Sequence, residues 1–166
     1  MSSRTRRTPP GASGAGIDAR LAEAVRLHQA GRLADAEAGY RAVLRHQPRH
    51  PDALHLLGLA AYHRGDSATA VDLIRQALER RPRFAAAETN LGNALLALGR
   101  AAEACEAHRR ALALEPGDPM VLHNLGNACL HLGDLAGAEQ AFRAALERLP
   151  GHPLIRLGLA RVLAAA

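Results

Sequence analysis

At 166 residues the chain suits one domain or one continuous array. Hydrophobic residues make up 48% of it but aromatics only 2%, a balance carried by Leu and Ala that favours helix and is poor for sheet. The formal charge of +5 includes +3 from Arg4, Arg6 and Arg7, and every cation is Arg; the absence of Lys excludes both a Schiff-base lysine and the lysine of a phosphate-binding loop.

The first 16 residues, MSSRTRRTPPGASGAG, combine Ser, Pro, Gly and Arg with almost nothing to bury, and read as a disordered basic tail. Three clustered Arg can meet an acidic partner, or can simply keep the chain in solution. No apolar segment follows these Arg, and no apolar run approaches the roughly 20 residues that cross a bilayer. The expected address is the cytoplasm, with no membrane partner, and the exclusive use of Arg points to a GC-rich bacterial genome.

From residue 17 onward the chain repeats itself every 34 residues. Gly31, Gly65, Gly99 and Gly133 form one column, Ala36, Ala70, Ala104 and Ala138 a second, and Pro48, Pro82, Pro116 and Pro150 a third. A period of this length means stacked supersecondary units, each burying its apolar face against the next. The units fall at 17–50, 51–84, 85–118 and 119–152, with a half-unit or capping helix at 153–166.

Within each unit a first helix is predicted up to the column Gly. Leu54, Leu57 and Ala61 in the second unit, and Leu91, Leu95 and Leu98 in the third, recur at three and four residues and make one apolar face. The Gly ends that helix in the left-handed region, which it adopts without a Cβ penalty. A second helix then runs to the column Pro, which cannot continue it and pushes its predecessor into extended backbone. Asp118 ahead of Pro119 reads as an N-cap with Pro at the first helical position, and Asp66 or Ser67 caps the helix after Gly65. Gly58, Gly92 and Gly126 on the first helices are expected to face Ala70, Ala104 and Ala138 on the second, so that the two backbones approach closely. The expected fold is all-α: a right-handed α-solenoid of about four and a half helical hairpins, with nine helices.

These units resemble the tetratricopeptide repeat over about 150 of the 166 residues, through the pairs Leu57-Gly58, Leu91-Gly92 and Leu125-Gly126, the later Ala and the closing Pro. The first unit departs, with Glu23-Ala24 in place of Leu-Gly; the family's early Trp is absent, and His108 stands where an aromatic is usual. The resemblance implies a curved array whose first helices line a groove for an extended segment or a helix of a partner protein. That groove draws attention to Asn90 and Asn93 in the third unit, to Asn124 and Asn127 in the fourth, and to His55 and His123 one place ahead of the first Asn position. Asn is a mediocre helix former that brings two donors and an acceptor, so a row of them can hold a peptide backbone without reading its side chains. The arrangement is similar to the repeat arm of O-linked N-acetylglucosamine transferases and related bacterial proteins, whose groove Asn residues hold main chain. Here Ala22 and Leu56 occupy the equivalent places in units one and two, so the row is two units long. The alternative role for the same Asn is hydrogen bonding to solvent or between repeats. Tyr62, His63 and His131 are expected to flank the groove.

Some members of that family clamp a C-terminal carboxylate with Lys and Arg, but Leu21, Thr89, Leu154 and Gly158 stand where such cations would be needed. Ser is confined to Ser2, Ser3, Ser13 and Ser67, so no Ser, His and acid triad can be assembled. Cys105, Glu106 and His108 share one helix, a nucleophile or metal site at most in outline, and Cys105 and Cys129 are expected as reduced core residues. His55 and His63, like His123 and His131, are eight residues apart, a rise of about 12 Å and too far for one metal. Arg75, Arg80, Arg81 and Arg83 lack the aromatic platforms of a nucleic-acid face. No catalytic residue, metal or cofactor is expected, and no nucleic acid. The last helix, PLIRLGLARVLAAA, offers a largely apolar surface suited to a second copy or another partner. The function expected is that of a non-enzymatic scaffold for a partner peptide; the competing expectation is the recruiting arm of a larger glycosyltransferase or sulfotransferase whose catalytic part lies beyond Ala166.

Overall fold

A computed structural model describes residues 14–165. Among the described residues nine helices follow one another: α1 Gly14–Gln29, α2 Leu33–His46, α3 Pro51–His63, α4 Ser67–Arg80, α5 Ala85–Ala97, α6 Ala101–Leu114, α7 Pro119–Leu132, α8 Leu135–Arg148 and α9 Pro153–Ala165. The first helix begins at Gly14, inside the stretch read as tail, and residues 1–13 lie outside the described part. Each odd-numbered helix packs against the even-numbered one that follows it, and each hairpin stacks on the next. The odd helices also touch one another in series, whereas no two even helices do among the described residues. The stack therefore closes on the odd-helix side and opens on the other, which makes it an α-solenoid with α1, α3, α5, α7 and α9 as its inner layer.

The columns in the sequence are the joints of this architecture. Gly31, Gly65, Gly99 and Gly133 have φ of +76°, +85°, +74° and +82°, a region that costs any residue with a Cβ about 1–2 kcal/mol. After each of them the next residue reaches back five places: Arg32, Asp66, Arg100 and Asp134 donate their N–H to the carbonyls of Leu27, Ala61, Leu95 and Cys129, all at 2.9 Å. At the other end of each hairpin the residue before the column Pro is extended, with φ between −129° and −134° at Gln47, Arg81, Glu115 and Leu149. Side-chain caps start several helices. The Asp118 carboxylate accepts from the N–H groups of Met120 and Val121 at 2.8 and 3.2 Å, Asp134 from Gly137 at 2.9 Å and Asp66, rather than Ser67, from Thr69 at 3.1 Å.

Close packing inside the hairpins takes a different form from the one expected. Ala70, Ala104 and Ala138 are fully buried, yet the inner-helix glycines lie mainly under the residues one turn further on. A Cβ placed on Gly58 would come within 2.8 Å of Ile74 Cγ1, on Gly92 within 2.5 Å of His108 Cε1 and on Gly126 within 2.8 Å of Phe142 Cε1; Gly58 also meets the Ala70 carbonyl, at 3.2 Å. The reason is size: the column Tyr40, Ile74, His108, Phe142 carries large, fully buried side chains on the outer helices, and only a residue without a side chain leaves room for them. In the first hairpin the roles are exchanged, with Ala24 on the inner helix and Gly39, beside Tyr40, on the outer.

Candidate functional site

The inner layer presents its residues in columns that follow the 34-residue period: Ala22, Leu56, Asn90, Asn124 in one, and Val25, Leu59, Asn93, Asn127 in the next. The face is thus amide-bearing on α5 and α7 and aliphatic on α1 and α3. Of the four amides, two are engaged inside the protein. Asn90 Nδ2 lies 2.8 Å from His55 Nε2, a bond between the inner helices of units two and three, and Asn127 Nδ2 lies 3.0 Å from His123 Nε2, one turn away on α7. Asn93 and Asn124 are half-buried, and neither amide has a side-chain partner among the described residues. They are the groups on this face best placed to receive the carbonyl and N–H of another chain.

Burial sets the charge state of the imidazoles here. His55 is packed edge-on against Phe84, with ring centroids 4.7 Å apart, and burial pulls it down to about 4, partly countered by Asp52. Burial also lowers His123, whose ring lies 5.6 Å from that of Phe142, and the nearby His152 lowers it further. Both are neutral near pH 7, so their bonds to Asn90 and Asn127 need no ionised partner. Tyr62 is half-buried against the central core, and His131 is exposed without a side-chain bond, so of the expected flanking residues only His63 enters a network.

That network belongs to a feature not expected from the sequence. His63 Nδ1 lies 3.0 Å from His28 Nε2, and His28 Nδ1 lies 3.2 Å from the Tyr40 hydroxyl. The chain of three runs from the exposed end of α3 through α1 to the buried face of α2. It forms the polar wall of a cavity of about 580 Å³ whose other walls include Val25, Leu56 and Leu59. Burial lowers His28, with His63 adding to the effect and Glu37 opposing it, and burial raises Tyr40 to about 12. A regularity in the sequence could have revealed the pair. His28 and His63 are 35 residues apart, as are His55 and Asn90, so neighbouring inner helices meet one residue beyond the period and not along a column.

Elsewhere the chemistry-bearing residues serve packing. Cys105 and Cys129, whose separation in sequence matches no metal or disulfide framework, come together across α6 and α7 with their sulfurs 3.7 Å apart, both buried as thiols. Burial pushes Cys129 up to about 12, and the neighbouring Cys105 adds to the rise. His108 is fully buried, and neither of its ring nitrogens has a hydrogen-bond partner among the described residues. Burial holds it down to about 4. No group of three His, Cys, Asp or Glu among the described residues is placed to hold a metal. At the end of the array Ile155, Gly158 and Val162 of α9 are buried, while Leu154, Leu157 and Leu163 are more than half exposed at 57%, 58% and 55%.

The family model for the tetratricopeptide repeat matches residues 21–82, 65–119, 89–153 and 123–166, four overlapping stretches that run nearly the length of the chain. No curated protein matches the sequence. Among solved structures, the chain is similar to the pilF protein of Pseudomonas aeruginosa at 26% identity and a TM-score of 0.81, covering 90% of this chain and 68% of that one. It is also similar to the MamA protein of Desulfovibrio magneticus, with 21% identity, a TM-score of 0.83 and coverage of 90% and 84%. A tetratricopeptide protein of Thermus thermophilus gives 24% identity, a TM-score of 0.73 and coverage of 90% and 82%. At such identities the last two likenesses concern the fold.

Proposed function

The chain belongs to the tetratricopeptide repeat family, and we propose that it acts as a non-enzymatic scaffold whose inner face holds a segment of a partner protein by its main chain. The observation that carries this reading is the pair of amide columns on α5 and α7, in which Asn93 and Asn124 keep their donors and acceptors free while Asn90 and Asn127 are braced by His55 and His123. Bracing holds the side chains of the second pair, and the His55–Asn90 bond also ties unit two to unit three, so a bound strand meets a preorganised surface. Asp52, at the start of α3, is clasped by both terminal nitrogens of Arg81 at 2.7 and 2.8 Å, while Glu115 lies beside Asn90 and Arg161 beside Asn127 at the edges of the amide face. Recognition by the central amides, Asn93 and Asn124, rests on neutral hydrogen bonds. The Arg-only composition and the two free thiols support a bacterial cytoplasmic setting. The exposed leucines of α9 support a second contact surface, suited to self-association.

A peptide library screened against the intact chain and against Asn93→Ala/Asn124→Ala, each at low and high salt, tests the groove. Loss of at least tenfold in affinity in the variant, with little effect of salt on the native chain, is the expected result. Equal binding by the two proteins refutes the amide reading, and binding that collapses with salt points instead to the surface Arg residues. A molecular mass from light scattering that rises with concentration, and stays monomeric after Leu157→Glu, is expected if α9 mediates self-association.

A further inference from the structure

We infer that the cavity between α1, α2 and α3 is an anchor site for one bulky, uncharged, apolar side chain of the bound segment, aromatic or branched aliphatic, with His63 Nε2 the one nitrogen of the wall left for a hydrogen bond. This inference rests on the groove reading and specifies its partner: an extended segment with an apolar anchor at the end that lies over units one and two.

Three observations converge on it. The first is register. Leu56 and Leu59 occupy the same columns as Asn90 and Asn93, and Val25 the same column as Asn127, so the cavity continues the amide face and lies on the path of a strand held there. The second is size and composition. A cavity of about 580 Å³ walled by Val25, Leu56 and Leu59, with His28, His63 and Tyr40 also in its lining, has the proportions of a ligand pocket; such pockets are mostly apolar with a few placed polar groups. The third is charge. Glu37, the acid nearest these rings, is itself buried and paired with Arg41 at 3.0 Å and Arg64 at 2.5 Å, so neither its charge nor theirs is free to select an ionised ligand. Within the wall itself, one imidazole bonds to the next and that to a phenol, which leaves His63 Nε2 without a hydrogen-bond partner among the described residues. Two imidazoles 3.0 Å apart can share a proton but not hold two. Filling the pocket desolvates His28 further and favours its uncharged form, so acid opposes binding. The groups that face His28 are Tyr40 and Glu37 from α2 and His63 from α3, with Arg64 behind Glu37; of these, Glu37 alone favours protonation of His28.

The test uses the intact chain and the uncharged fluorophore N-phenyl-1-naphthylamine, with the peptide library as a second arm. Leu56→Asn/Leu59→Asn gives unit two the residues that unit three already carries at those columns, so the fold is expected to survive, as circular dichroism would register. Saturable binding of the fluorophore by the native chain, weakened at least tenfold in this variant and weakened again between pH 7.5 and pH 5, is the expected outcome. His28→Gln/His63→Gln should bind at pH 7.5 and lose most of the acid effect. In the library, peptides selected by the native chain should share an apolar residue at one fixed position, a preference absent from those selected by Leu56→Asn/Leu59→Asn. Fluorophore binding unchanged by the double Asn substitution overturns the inference. So does a library consensus with no apolar position, even where Asn93→Ala/Asn124→Ala abolishes binding and the groove reading stands. A fluorophore site that depends on Leu56 and Leu59, beside peptide binding indifferent to Asn93 and Asn124, has the reverse meaning: the pocket survives and the amide groove fails.

Discussion

His108 offers the sharpest test of the packing. It fills the place that Phe142 fills one unit later, over Gly92 as Phe142 lies over Gly126, but it does so with two ring nitrogens that find no partner. Burial holds the folded-state ring at about 4, against an ordinary 6.5 in the unfolded chain. The folded state therefore binds fewer protons than the unfolded one between those limits, and stability present above pH 6.5 is lost as pH falls through the window. A separation of about 2.5 pH units is worth about 3 kcal/mol once titration is complete, of which about 2 kcal/mol is gone by pH 5. His55, also pulled to about 4, adds a similar loss. His108→Phe removes one of the two histidines that burial lowers furthest and relieves the unpartnered nitrogens, an effect of about 1–3 kcal/mol against which the slightly larger ring must be set. Urea unfolding followed by helical circular dichroism at pH 7.5 and pH 5 reads both effects. The native chain should lose about 4 kcal/mol between the two pH values and the variant about half of that, with the variant at least as stable at pH 7.5. Parallel pH profiles for the two proteins would show that His108 is not held neutral by burial, and the reasoning would fail.

Two further outcomes follow from the same core. Gly126→Ala places a methyl group within 2.8 Å of Phe142 and should cost about 1–3 kcal/mol in urea unfolding, while Gly151→Ala, with nothing within 4 Å of its Cβ, serves as the near-neutral comparison. Cys105 and Cys129, buried together with Cys129 raised to about 12, should resist a thiol reagent in the native chain at pH 8 and react with two equivalents in denaturant; rapid reaction of the folded protein would place them nearer the surface than their packing implies.

The period carried most of the fold into view because the same physical requirement recurs at the same place in every unit. A left-handed helix end demands Gly31, Gly65, Gly99 and Gly133, and a hairpin end that must not continue demands Pro48, Pro82, Pro116 and Pro150. Those are local requirements, satisfied within a few residues, and a sequence states them directly. The glycines at Gly92 and Gly126 were visible too, but their partners were not, since a column of small residues does not say which turn of the neighbouring helix lies above it; the bulk of His108 and Phe142 decides that. The functional face was half legible for a related reason. The amides of Asn90, Asn93, Asn124 and Asn127 stand out as repeated polar residues on helices that have apolar work to do, and their columns fall on the inner layer. Which of them are free and which are braced depends on contacts between units, and those run at 35 residues, one place off the repeat: His55 to Asn90, and His28 to His63. A reading confined to columns passes over both pairs, and with the second it passes over the cavity, because Val25, Leu56 and Leu59 look like ordinary core residues until the stacking of α1 on α3 leaves them partly buried in its lining. Repetition thus shows what the units share; the site lies where unit one and unit two depart from units three and four.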